Sequence, residues 1–316
     1  MLCQPVKEDL FAWLHKQLSE YYGAANTVNG GDYLFFQGNC PTMLCAHLDT
    51  VHKRQPVTIV DDGNRVSSPQ GIGGDDRCGV YAVLSVLKTV EATGKKPYVF
   101  FSTDEEVGGA STKRAAQDVK MRVAGVGYMI QIDRRNSVDS VYYKCGNKQF
   151  KKFIDEHGFV EAHGSFTDIC NLSPVFDLAS VNLSSGYYNE HTPNEYVVYD
   201  ELQATIDKIV KIIADTKDDV VYPYCEEKPI QLPARNHKSS YQNVIMFFEK
   251  GDEVYAKYNG SIVYSKPDYS HKIIDVLVPA YIPFTVEDVS GDFVKLKYNN
   301  RDIWMTRWSL ALDFTT

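Results

Sequence analysis

Residues 43–52 read MLCAHLDTVH. Four mostly apolar residues, Met43 to Ala46, run directly into His47, Leu48 and Asp49. The apolar run predicts a buried strand, TMLCA over 42–46. Side chains two apart on a strand share a face, so His47 and Asp49 become neighbours at its end. The carboxylate can then orient the imidazole. Such a pair serves either as a hydrogen bond at a strand end or as a metal ligand with its orienting carboxylate. The rest of the chain decides between the two.

Outward from that stretch, residues 6–22 read as a helix, and LFF (34–36) and VTIV (57–60) as strands. After Asp75-Asp76, CGVYAVLSVLKTVEA places Val80, Val83, Leu84 and Leu87 on one helical face. YVFFS (98–102) and GYMIQID (127–133) are continuous apolar runs, expected of strands covered on both faces of a parallel sheet. VYYK (141–144) reads as a strand and 147–157 as a helix. DLASVNLSSG (177–186) ends in a central strand. DELQATIDKIVKIIADT (200–216) keeps Leu202, Ile206, Ile209, Val210 and Ile213 at helical spacing. This alternation predicts an α/β fold over residues 1–220, a three-layer α/β/α sandwich with a mainly parallel mixed sheet. Three prolines and no periodicity in YPYCEEKPIQLPARNHKSS predict a linker over 221–242. From 243 to 316 short strands alternate with turns at Gly260, Gly291 and Asn299-Asn300, which predicts a small all-β barrel.

Composition excludes several classes. Hydrophobic residues make up 44% and charged residues 23% of 316, as in an ordinary globular protein. The net charge of −8, with nine Lys/Arg against ten Asp/Glu over 237–316, does not favour nucleic acid as a partner. No apolar run is long enough to span a membrane. The N-terminus carries Lys7, Glu8 and Asp9 early and lacks the layout of a signal peptide. Seven scattered cysteines with no CxxC pair fit reduced thiols in a cytoplasm.

Polar residues recur where the apolar strands stop. His47 and Asp49 follow one; Asp104, Glu105 and Glu106 follow YVFFS; Asp133 follows YMIQI; His191 follows SVNLSSGYYNE. Asp75 and Asp76 lie in GIGGDDRCG, just before a helix. Taken singly, each has an ordinary explanation. Asp75 or Asp76 would cap a helix, Glu105-Glu106 would be a solvated turn, Asp133 would pair with Arg134 or Arg135, and His191 would be a loop histidine. Taken together, they crowd negative charge at the strand ends, where open α/β sheets form their sites. Uncompensated, that charge is costly, and divalent cations would offset it.

HLDTV, GGDDRCG, STDEEVGG, QIDRR and GYYNEHTPNE, in this order over residues 1–218, resemble the co-catalytic di-zinc exopeptidases, in particular the peptidase T-like and glutamyl-aminopeptidase-like branches. The resemblance implies two zinc ions, with cobalt or manganese as substitutes. One would be held by His47 and Asp133, the other by Glu106 and His191. Asp75 would bridge them, with Asp76 as the adjacent alternative. Asp49 would fix the His47 ring, and Glu105 would be the general base. GSFTDIC (164–170) resembles a Thr-Asp stretch near the substrate pocket, which makes Asp168 a candidate contact for a peptide's free amine. The same residues would equally cap a turn or helix.

The sequence also departs from both branches. Residues 134–190 are enough for core strands and a helix but tight for the extra domain that peptidase T-like relatives carry there, and residues 50–74 are too few for the domain that the other branch inserts, which leaves a minimal catalytic domain. The implied activity is release of N-terminal residues from short peptides. A deacylase or a cell-wall peptide amide hydrolase would use the same metal site, and an inactive binding protein on the same fold is a third reading. The intact set, including the non-ligand Glu105, argues against that third reading. GDEVYAKYNG, FTVEDVSGDFVKLKY and DIWMTRWSLAL resemble small Src-homology-3-like barrels. That implies binding of a peptide, a cell-wall fragment or a protein partner through Trp304, Trp308 or the tyrosines. Alternatively, these aromatics fill the barrel core.

Overall fold

The computed structural model describes residues 3, 5–52, 54–164, 166–224, 248, 250–256, 261–268, 270–278, 283–291, 293–298, 301–306 and 309–311. The chain falls into two compact units, Met1–Gln231 and Leu232–Thr316. Most of the expected linker, and the expected strand VIMFF except Phe248, lie outside the described residues.

In the first unit, α1 (Lys7–Tyr22) leads into β1 (Thr27–Asn29), β2 (Tyr33–Phe36) and β3 (Thr42–His47). The short strands β4 (Val60–Asp61) and β5 (Arg65–Ser67) precede α2 (Gly74–Val90). Then come β6 (Tyr98–Ser102), α3 (Ala110–Asp118), β7 (Tyr128–Arg134), β8 (Asp139–Val141), α4 (Lys148–Asp155) and β9 (Val160–Ala162). The unit continues with α5 (Ile169–Phe176), β10 (Ser180–Ser184), β11 (Tyr187–Tyr188), β12 (Tyr196–Val198) and α6 (Tyr199–Asp215). Eight strands form one sheet in the order β1-β2-β6-β3-β7-β10-β8-β9. Its centre, β6-β3-β7-β10, is parallel, and β2 and β8 join it antiparallel. The parallel strands therefore deliver their carboxyl ends to one edge.

Strand alternation splits the core into two layers. Leu44, Val99, Phe101, Ile130 and Val181 pack with α1, α2 and α6 on one face. Met43, Cys45, Phe100 and Met129 pack with α3 and α5 on the other. Helices thus cover both faces of the sheet, as the apolar runs implied. Each such fully buried Leu or Phe contributes about 1.5–3 kcal/mol relative to an exposed one. A second, four-stranded sheet, β11-β12-β5-β4, is antiparallel and presents the β11–β12 hairpin.

Two expectations need correction. VTIV contributes only Val60 to a strand, because Val57 is 81% exposed and gains nothing from β pairing. VYYK stops at Val141, since Tyr143 and Lys144 take left-handed backbone, φ 50° and 67°. Helices α3 and α5 were not anticipated from the sequence. Short α3 buries only Ser111, Thr112, Ala115 and Ala116, and α5 carries Pro174.

The second unit contains two antiparallel sheets. β13 (Glu253–Ala256), β14 (Ser261–Tyr264), β15 (Lys272–Val278), β16 (Pro283–Thr285), β17 (Asp288–Ser290), β18 (Phe293–Tyr298), β19 (Arg301–Thr306) and β20 (Leu310–Ala311) are ordered β16-β13-β20 and β15-β14-β19-β18-β17. Val254, Phe284 and Leu310 of the first join Val263, Leu296 and Ile303 of the second in one apolar cluster. Trp304 is half-buried, and Trp308 lies outside the described residues.

Candidate metal centre

His47 is the last residue of β3 and is 1% exposed. Its Nδ1 faces Asp49, at 3.2 Å from the carbonyl oxygen and 3.3 Å from Oδ1. Its Nε2 faces Asp75 Oδ1 at 3.0 Å and Asp133 Oδ1 at 3.5 Å. One ring nitrogen is thus oriented by Asp49, leaving the other for chemistry. Asp49 does more than sequence suggested. Its two carboxylate oxygens accept the backbone N–H groups of Glu105 and Glu106, each at 3.2 Å. The same carboxylate therefore positions the His47 ring and the Glu105-Glu106 turn.

The Asp75-Asp76 doublet resolves by direction. Asp75 Oδ1 meets His47 Nε2, and Oδ2 meets His191 Nε2 at 3.1 Å. Asp76 turns away into the protein. It accepts the backbone N–H of His47 and of Gly79, each at 3.0 Å. Asp75 is held at the start of α2, where both aspartates have non-helical backbone and the peptide between them is cis.

His191 lies in the loop joining β11 to β12. It takes left-handed backbone, φ 62°, as does Asn189, φ 56°, which curls the loop tightly. Besides Asp75 it meets Glu106 Oε2 at 3.1 Å. Asp133, at the end of β7, accepts from Thr167 Oγ1 at 2.9 Å and from Gln131 Nε2 at 3.2 Å. Two donor groups result, His47-Asp75-Asp133 and Asp75-Glu106-His191, and Asp75 belongs to both.

Ionisation follows this crowding. Burial, then the charge of Asp133, pushes the Glu105 carboxyl up to about 9. Burial and Asp75 push Asp133 up to about 6. Hydrogen bonds to Asp75 and Glu106 push His191 up to about 10. Burial alone would lower His47, but the charge and hydrogen bond of Asp133 outweigh it and hold the imidazole well above its ordinary value.

The donor set fits divalent metal. Each group offers one imidazole and carboxylates, the nitrogen and oxygen ligands of zinc-like ions. Glu106 Oε1 is buried and has no hydrogen-bond partner, the mark of an acceptor awaiting a cation. Glu105 belongs to neither group.

Of the residues anticipated from sequence, His47, Asp49, Asp75, Glu105, Glu106, Asp133 and His191 are brought together at the carboxyl edge. Asp168 is placed otherwise. It is 1% exposed, and its oxygens accept from the hydroxyls of Ser102 and of Thr112. Sequence reasoning missed Glu195, a fully buried carboxylate that accepts the backbone N–H groups of Gly73 and Asp75, each at 2.9 Å. It lies within GYYNEHTPNE, but nothing in a sequence marks an acid whose partners are main-chain groups of another loop.

With known proteins the chain shares the following. Residues 43–158 match the M42 glutamyl aminopeptidase family, a stretch that holds His47, Asp49, Asp75, Glu105, Glu106 and Asp133. A tripeptidase from Staphylococcus aureus subsp. aureus Mu50 is similar in structure at 14% identity and TM-score 0.51, over 66% of this chain and 93% of that one. A TET aminopeptidase from a marine sediment Thaumarchaeota archaeon is similar at 12% and 0.51, over 65% and 91%. An aminopeptidase from the archaeon Desulfurococcus kamchatkensis is similar at 12% and 0.50, over 68% and 92%. No curated protein sequence matches. At these identities the structures bear on the fold alone, whereas the family match covers six of the clustered residues. The protein is an aminopeptidase-like metallopeptidase.

Proposed function

We propose that the protein releases N-terminal residues from short peptides at a two-metal centre, with zinc as the first choice of ion. The observation that carries this reading is Asp75, which turns one oxygen to the His47 group and the other to the His191 group. His47 and Asp133 would hold one ion, Glu106 and His191 the other, and Asp75 both. When bound, the ions lower the pKa of a water towards neutrality and polarise the scissile carbonyl.

The chain's own residues do the rest. Glu105 accepts the proton of the attacking water and returns it to the leaving amine. Its freedom from both donor groups leaves it available for this, and its raised pKa in the metal-free protein marks how readily it holds a proton there. Asp49 keeps the Glu105 backbone and the His47 ring in register. Asp168 is assigned here to bracing Ser102 and Thr112 under the site, in place of the amine contact suggested by sequence.

For domain boundaries we assign residues 1–220 to the catalytic domain, 221–242 to a linker and 243–316 to an Src-homology-3-like barrel. Two antiparallel sheets over one apolar cluster support the barrel reading. A cytoplasmic setting is supported by six free cysteines among the described residues. No helix among them is long and apolar enough to cross a membrane.

The test is metal content of the purified protein, with di- and tripeptide hydrolysis before and after chelation. Near two ions per chain and chelator-sensitive release of N-terminal residues are expected. Two ions without peptide cleavage would move the reading to a deacylase or a cell-wall amide hydrolase, and no metal uptake would sink it.

A further inference from the structure

Glu195 is fully buried and belongs to neither donor group. A carboxylate taken out of water is costly unless its oxygens are satisfied. Here they are. Oε1 accepts the Asp75 N–H, and Oε2 accepts the Gly73 N–H and the His52 Nε2 at 2.7 Å. These donors come from two loops. Gly73 and Asp75 lie in the turn that presents the bridging aspartate, Asp75 itself, and His52 lies in the segment after β3, which carries His47. Glu195 itself closes the loop that carries His191. One side chain thus ties together the three segments that bear His47, Asp75 and His191.

Local sequence is fitted to this contact. A Cβ on Gly74 would lie 3.2 Å from Glu195 Oε1 and 2.9 Å from Tyr187 Cβ and Val197 Cγ2. A Cβ on Gly71 would lie 2.2 Å from the His52 ring. The glycines let both loops close on the carboxylate.

We propose that Glu195 is the positioning residue of the metal centre. It fixes the backbone of Asp75 relative to the His191 hairpin, and His52 holds its carboxylate in place. The inference rests on the metallopeptidase reading above. The competing account is that Glu195 merely caps the first turn of α2. A cap would alter folding stability and leave metal affinity alone. A positioning residue would loosen zinc binding in a protein that still folds, and most of all at Asp75-Glu106-His191, because Glu195 sits on the His191 loop itself and holds the Asp75 backbone directly, whereas it reaches the His47 segment only through His52.

The experiment is calorimetric titration of chelated protein with zinc, using wild type, Glu195→Gln and His52→Ala, alongside thermal melts of the metal-free forms. In Glu195→Gln the amide keeps one acceptor oxygen and turns a donor towards N–H groups. It is expected to weaken the Asp75-Glu106-His191 site by about 10–100-fold, the range for residues that orient ligands, and the His47-Asp75-Asp133 site by less. His52→Ala should weaken the former site by less than Glu195→Gln does. A lower melting temperature with wild-type zinc affinity at both sites would make Glu195 a helix cap and overturn the proposal. If Glu195→Gln does not fold, His52→Ala decides: a weakened site supports the proposal, and unchanged affinity overturns it. If wild type itself takes up no zinc, the metallopeptidase reading falls first and this inference with it.

Discussion

At Glu105, burial and the charge of Asp133 raise the carboxyl pKa to about 9, while its neighbour Glu106 reaches His191 at 3.1 Å. Adjacent acids on one turn therefore take different duties. Glu105→Gln is expected to keep metal content and lower kcat by about 10²–10⁴-fold, the usual contribution of a positioned base; substantial turnover in a metal-loaded variant would remove Glu105 from that role. His191→Ala should lower the uptake of one ion, and two full equivalents bound with wild-type affinity would contradict the ligand assignment. A linkage follows from the same residues. His191, raised to about 10, is protonated at pH 7 in the metal-free protein, and so is Glu105. Metal needs the neutral imidazole, so binding expels protons and affinity rises with pH. Calorimetry in buffers of different ionisation enthalpy should show net proton release at pH 7. At this scale the sequence was informative where a role follows from strand period, as for His47 and Asp49. It was silent where a role depends on where oxygens point. Asp75 and Asp76 are chemically identical neighbours, and only the fold turns one to the imidazoles and the other to the backbone. Glu195 was equally hidden, because its partner Asp75 lies 120 positions away and offers only an N–H.

Among the elements, β3 carries the most weight. It lies between β6 and β7, both parallel to it, and every residue from Thr42 to His47 is buried. Leu44→Ala deletes apolar volume from its centre and should cost about 2–5 kcal/mol of stability. Denaturant unfolding would read this as a lower midpoint with an unchanged slope, and metal stoichiometry should survive. An unchanged midpoint would contradict the core placement. β3, β6 and β7 were readable because uninterrupted apolar runs mean burial on both faces. Helices α2 and α6 were readable by their 3.6-residue period. By contrast, α3 turns only Ser111, Thr112, Ala115 and Ala116 to the core, and α5, although it buries Ile169, Leu172 and Phe176 at helical spacing, is only eight residues long and carries Pro174. The β11–β12 hairpin is two and three residues per strand, shorter than any pattern can register.

In the whole molecule, all the clustered residues fall between His47 and Glu195, inside the first unit and its own apolar layers. A chain ending at Gln231 is therefore expected to bind metal as the full chain does; loss of binding in a folded truncation would show that the second unit completes the centre. In the sequence the change of texture near 220 is marked by prolines and by the end of helical periods, and the two compact units divide between Gln231 and Leu232. One further consequence concerns time. The His47 side chain is 1% exposed and that of His191 is 49% exposed. On the two-metal reading, an ion held by His47 would be the more enclosed, and one held by His191 the more open to solvent. Exchange at the two positions should therefore run on separate clocks. Brief chelation would strip the outer ion first and leave a half-loaded protein.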